Sequence, residues 1–214
     1  MKWDWVADHV PDLVELTGQH AYLALLPVLF GLLISVPLGV LCVRWPKLYP
    51  PVFGGANLLY ALPSIALFIV LIDYTGLTSW TAIIPLTLYT FSVLIPNVVD
   101  GLRSVPDASR QAATAMGFGT TRRLVQIELP IAVPVIMAGL RVATVSSISM
   151  VSVAALVGLG GLGQLFTDGF QRDFPTEIIV GIMLTVLLAF VCDALLVLAQ
   201  RLLTPWARAR VASR

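Results

Sequence analysis

Five stretches of this chain run for about twenty residues almost without charge, and that pattern limits what it can fold into. They are roughly residues 21–43, 52–72, 81–99, 131–156 and 178–198. A helix needs about 20 apolar residues to cross the hydrocarbon core of a bilayer. The runs are continuous rather than alternating, which excludes the strands of a lipid-facing barrel. Lipid admits only helices or closed barrels as spanning structures. Of the 214 residues 58% are hydrophobic and 12% charged, whereas a soluble domain carries about 25% charged residues. The expected fold class is an all-α integral membrane protein with about five transmembrane helices. A net charge of +1 gives no footprint for nucleic acid.

Basic residues sort the connections into two sets. Arg44 and Lys47 follow the first run, and Arg103, Arg110, Arg122 and Arg123 follow the third. Arg201, Arg208, Arg210 and Arg214 follow the fifth. Only Lys2 and Arg172 fall on the other side, where Asp4, Asp8, Asp12, Glu15, Asp73, Asp168, Asp173 and Glu177 gather. Five spans with this alternation place the N-terminus outside and the C-terminus inside. The chain then divides into an outer interfacial lead-in (1–20), one transmembrane domain (21–203) with a cytoplasmic loop (103–130), and a basic cytoplasmic tail (204–214). The lead-in lacks a basic n-region and is not expected to be a cleaved signal peptide. Its Trp3, Trp5 and Val6 would lie flat at the interface, or the segment is a short unstructured lead. His9 and His20 read as interfacial polar residues.

The spans are not plain anchors. Pro27, Pro37, Pro63, Pro85, Pro96 and Pro134 each remove a backbone bond, so neighbouring helices must satisfy what is freed. Gly31, Ser35 and Gly39 recur every four residues as a small stripe that suits close helix packing. The fourth span carries Thr144, Ser146, Ser147, Ser149 and Ser152. Such hydroxyls either return hydrogen bonds to their own helix or line a water-filled path. Arg141 and Asp193 lie within the bilayer and are expected to pair, unless each snorkels separately. Cys42 and Cys192 sit in apolar runs with no metal or redox spacing. Gly158-Leu-Gly-Gly-Leu-Gly163 matches G-x-G-x-x-G, but a dinucleotide site needs a preceding strand and a βαβ unit. A flexible break or hinge at the outer mouth fits better. No set of residues supports catalysis, a metal or a cofactor.

The connection 103–130 carries the most information. Ala112, Ala113, Ala115 and Met116 favour a helix, which Pro106 and Asp107 start. Gly117 and Gly119 break it, Thr120 is placed to cap a second short helix, and Pro130 opens the fourth span. The Ala112–Ala113 face suits insertion into a groove on another protein. The basic second helix also suits lipid headgroups.

This loop resembles the EAA motif of binding-protein-dependent ABC importer permeases. That motif reads E-A-A, three residues, G, nine residues, I-x-L-P. Ala112, Ala113, Gly117, Ile127, Leu129 and Pro130 match it in register, and Gln111 stands where the family has Glu. Ala61-Leu-Pro-Ser64, Ala138-Gly-Leu-Arg-Val-Ala-Thr144 and the run 154–163 resemble the branch that imports glycine betaine, carnitine, choline and related quaternary amines.

The resemblance implies a type I (MetI-like) importer permease bundle in the bacterial inner membrane. It implies a cytoplasmic ABC ATPase dimer on the loop, a second permease subunit, identical or not, and an extracytoplasmic solute-binding protein. With no G-x-x-x-x-G-K-[ST] in the sequence, the ATPase would be another polypeptide. The alternatives are a permease of the same architecture for amino acids such as methionine, and a passive channel or membrane scaffold. Tyr60, Phe68, Tyr89 and Phe91 lie in spans, where packing explains them as readily as a cage for a quaternary amine.

Overall fold

The computed structural model describes residues 2–206, so Arg208, Arg210 and Arg214 of the expected tail lie outside the described residues. Every element among the described residues is helical. In order they are α1 (Trp3–Asp8), α2 (Val10–Arg44), a 3₁₀ turn (Pro46–Leu48), α3 (Tyr49–Ala61), α4 (Ser64–Thr75) and α5 (Ser79–Arg103). Then follow α6 (Asp107–Ala115), α7 (Thr120–Arg123), a π turn (Leu124–Glu128) and α8 (Leu129–Ala154). A second 3₁₀ turn (Ala155–Val157), α9 (Gln164–Gln171) and α10 (Pro175–Leu203) complete the elements of the described residues.

Four helical stretches are long and apolar enough to cross a membrane, with a fifth if α3 and α4 count as one broken span. The spans are therefore where the sequence put them, but three of their details differ. The expected second span is not straight: α3 and α4 meet at 89°. Pro63 forces Leu62 out of the helical region, to φ −70° and ψ 137°. The Leu62 carbonyl, left without a helical partner, accepts the Tyr89 hydroxyl at 2.8 Å.

The second difference is at the start. Residues 10–20 are neither flat nor unstructured; they are the first turns of α2. At 1.5 Å per residue α2 is about 52 Å long, well beyond the hydrocarbon thickness. Leu13 explains the extension, because it packs with Leu162, Leu165 and Val180 and so holds the helix above the bundle. Only α1 stands apart, with Trp5 stacked on His9 at 4.5 Å and edge-on to Phe174 at 5.5 Å. The third difference is in the fourth span. Pro130 sits in the first turn of α8, as expected, but the helical stretch continues back through the π turn to Thr120, giving 38 residues, Thr120–Val157.

The bundle centres on α5, which α2 and α8 flank. Leu23 and Ala24 of α2, Phe68 of α4, Leu86 and Tyr89 of α5 and Ile148 and Val151 of α8 form its middle. Val98, Leu102, Ala132 and Ile136 form a second cluster at the end that carries the 103–130 loop. Gly31, Ser35 and Gly39 are all buried. A Cβ on Gly31 would overlap Thr90, and one on Gly39 would overlap Val98. The small stripe is thus a seam within the subunit. By contrast, only 6% of the most apolar window of α10 is buried, so α10 is an outer helix of the subunit.

Two glycines of α2 separate these effects. Gly31→Ala should destabilise the detergent-solubilised protein by about 1–3 kcal/mol through overpacking. Gly18→Ala, with nothing near its Cβ position, should be neutral or gain up to about 1 kcal/mol of helix propensity. Thermal unfolding midpoints of the two variants check this; equal midpoints would disprove the seam.

Candidate coupling loop and membrane path

The loop is built around one helix stop. Pro106, extended at φ −60° and ψ 137°, precedes α6. At the other end Gly117 N–H donates to Thr114 O and Phe118 N–H donates to Ala113 O, both at 3.0 Å. This paired closure is the Schellman motif, and it requires a left-handed residue at Gly117, whose φ is +79°. The spacing from Ala113 to Gly117 is therefore a geometric unit. Gly119 differs: at φ −67° it needs no glycine and simply precedes α7. Thr120, expected as the cap, lies one residue inside the helix.

Successive helical residues point about 100° apart, so Ala112 and Ala113 do not share a face. Ala113 is 1% exposed and packs inward. The expected two-alanine docking face reduces to Ala112, flanked by exposed Gln111 and by Met116 at 65% exposure. Ile127, Leu129 and Pro130 are half-buried, with Leu129 packed on the Val98–Leu102 cluster.

Glu128 ties the loop to the bundle, and sequence reasoning did not single it out. Its side chain is buried. Arg123 Nε donates to Oε1 at 2.8 Å, and Arg110 Nε lies 3.7 Å from Oε2. Arg110 also donates to Leu102 O at 2.7 Å, and Arg123 to Thr114 Oγ1 at 3.1 Å. One carboxylate thus joins α6, α7 and the end of α5. Arg123 and Glu128 are five residues apart, and the π turn brings them together. The sequence signal was available: Glu128 is the acid that follows Arg122 and Arg123 just before Pro130.

The hydroxyls of α8 divide into two groups. Thr144 donates to Leu140 O and Ser147 to Ala24 O, each at 2.8 Å; both are buried and serve helix packing. Ser146, Ser149 and Ser152 lie on a more open flank. Ser146 lines a cavity with Tyr60, Tyr89 and Met150, and the two tyrosine rings meet edge-on at 5.7 Å. That cavity is about 20 Å³, room for roughly one water and too small for a solute in this conformation. Arg141 and Asp193 do meet, in a two-pronged contact of 2.6 and 2.8 Å that joins α8 to α10.

The glycine run is not a nucleotide loop. It follows a helix, and Gly158, Gly160 and Gly161 take φ of +80°, +87° and +76°. Gly161 N–H donates to Gln19 Oε1 at 3.0 Å, and Leu162 N–H to His20 Nδ1 at 3.1 Å. Because Nδ1 accepts, Nε2 carries the proton and donates to Ile148 O at 2.9 Å. His20, expected at the interface, is instead fully buried. Contacts from both halves of the chain exclude water from it. The expected hinge is clamped between α2 and α8.

Membrane-length helices carry this folded knuckle at one end of the bundle. The sequence profile of the binding-protein-dependent transport system inner membrane component matches residues 31–209, and this chain belongs to that family. It is 38% identical over 206 residues to the osmoprotectant import permease protein OsmW of Salmonella typhimurium, covering 94% of this chain and 96% of that one. It is 31% identical over 194 residues to the glycine betaine/carnitine/choline transport system permease protein OpuCB of Bacillus subtilis, covering 91% and 89%. The fold matches a chain of the inward-facing MetNI methionine ABC transporter with a TM-score of 0.70 at 25% identity, covering 86% and 94%. The MetI-like bundle that the sequence implied is thus observed, in an inner-membrane family.

Gly117→Val should strain the loop by roughly 1–2 kcal/mol, the steric cost of a left-handed residue. Exchange of the Phe118 amide should speed up about 5- to 30-fold as the closure opens. Gly119→Ala should leave it unchanged. Amide hydrogen exchange by mass spectrometry distinguishes the two variants.

Proposed function

We propose that this chain is the path-forming subunit of an ATP-driven importer for osmoprotectants such as glycine betaine, carnitine, choline or other quaternary amines. The observation that carries the reading is the buried Glu128 clamp, which makes the 103–130 knuckle a rigid lever on the helix that bears the serine flank. The named relatives, similar over nearly the whole chain, support the solute class. The methionine alternative has weaker support, since its transporter shares 25% identity.

In this reading the N-terminus is outside and the 103–130 loop is cytoplasmic, as the basic residues suggest. A cytoplasmic ABC ATPase dimer docks on α6 through Gln111 and Ala112, with Ala113, Gly117, Ile127, Leu129 and Pro130 shaping the knuckle behind them. ATP hydrolysis belongs to that partner. A second permease subunit faces Ser146, Ser149 and Ser152 across the path, with Thr144 supporting that helix from behind. An extracytoplasmic binding protein delivers solute at the glycine-loop end, and lipid covers α10. Closure of the ATPases moves α6, Glu128 passes the motion to α8, and Arg141–Asp193 carries α10 along. The path alternates its access in the manner general to transporters.

Uptake of labelled glycine betaine and choline into vesicles holding the assembled subunits tests this. Uptake should require both ATP and the binding protein. Equal uptake without ATP would point to a passive channel, and uptake of methionine alone would move the chain to the amino-acid alternative. In the same assay Arg141→Gln and Asp193→Asn should each lower uptake and stability. Parent-like behaviour of both would remove the pair from the mechanism.

A further inference from the structure

A cleft of about 410 Å³ opens between the end of α2 and the root of the coupling loop. One wall is apolar, with Val40 and Leu124 among its residues, and the other carries Arg44, Arg110 and Arg123 with a single acid, Glu128. Asp107 also pairs with Arg110 at 3.3 Å, so three guanidinium groups meet two carboxylates and leave a formal excess of one positive charge. Both oxygens of Glu128 are already engaged, by Arg123 and Arg110. Arg44, on the last turn of α2, has its guanidinium 5.7 Å from the Trp45 ring, at the level where an apolar span gives way to a polar connection.

A cationic recess with one hydrocarbon-like wall fits an amphiphile whose head is anionic. We propose that this cleft binds the phosphate headgroup of one anionic phospholipid, held between Arg44 and the loop arginines with its acyl chain along Val40 and Leu124. Free phosphate would use only the polar half and leave the apolar wall uncovered. The bound lipid joins α2 to the coupling loop, two elements that meet here across an open space. This inference is independent of which solute is carried.

The test uses the full-length chain, with the subunits that co-purify, in a neutral detergent. Equimolar phosphatidylglycerol and phosphatidylcholine with identical acyl chains are offered together, and bound lipid is counted by native mass spectrometry. Phosphatidylglycerol should be retained, with phosphatidylcholine at least about fivefold lower. Arg44→Gln should cut that retention about fivefold, the effect of one basic residue at an anionic surface. Arg44→Lys should keep most of it, and Arg172→Gln, at the opposite end of the bundle, should change nothing. Inorganic phosphate at the same concentration should not displace the lipid. Equal retention of both lipids, no effect of Arg44→Gln, or displacement by inorganic phosphate would each overturn the proposal. The headgroup comparison is made on the unaltered protein, so it stands even where a variant fails to fold.

Discussion

Hydrocarbon offers a backbone carbonyl no donor, so any group released from a helix must be met by a neighbouring side chain. The Leu62–Pro63 break is the clearest case. Its bend opens the second span, and Tyr89 on α5 closes the hydrogen bond that the bend releases. Ser147 on Ala24 O and His20 on Ile148 O add side-chain bonds between spans, each joining α2 to α8. Such bonds are directional, so they fix rotation as well as distance. Apolar packing against lipid could not do that, since acyl chains compete equally for the same surfaces.

On this frame the coupling loop gains its stiffness. A surface loop of this length would normally flex independently of the helices that bear it. Here a buried carboxylate with two arginines, a carbonyl of α5 and a Schellman closure leave the loop little independent motion. Removing both arginines would strand the buried acid, which costs more than the pairs themselves contribute. In the proposed mechanism, this is what passes force on α6 to α8 as displacement rather than as loop bending.

The sequence exposed features that depend on local pattern. Apolar run length located the spans, and Gly117 and Gly119 located the break at the knuckle. It concealed features that depend on partners distant in the chain. His20 looked interfacial because its acceptor and donor lie more than 120 residues away. The early start of α2 rests on Leu13 meeting α9 and α10, which no window around residue 13 reveals. The bend at Pro63 was half legible. A proline marked the place, but a kink and a near right angle look alike until Tyr89 is seen to hold the loose end. The Arg141–Asp193 contact was readable because two charges in hydrocarbon have few other solutions.

The π turn at Leu124–Glu128 sets a phase relation. It spends one residue more than an α-helical turn would, and each residue is worth about 100° of rotation. Upstream of it lies the Gln111–Ala112 face proposed to dock the ATPase; downstream lies the face that bears Ser146, Ser149 and Ser152. The extra residue thus works like the offset between two gears on one shaft. It determines which side of the rod looks inward when the knuckle is seated, and a one-residue deletion there would keep both gears intact while leaving them out of mesh.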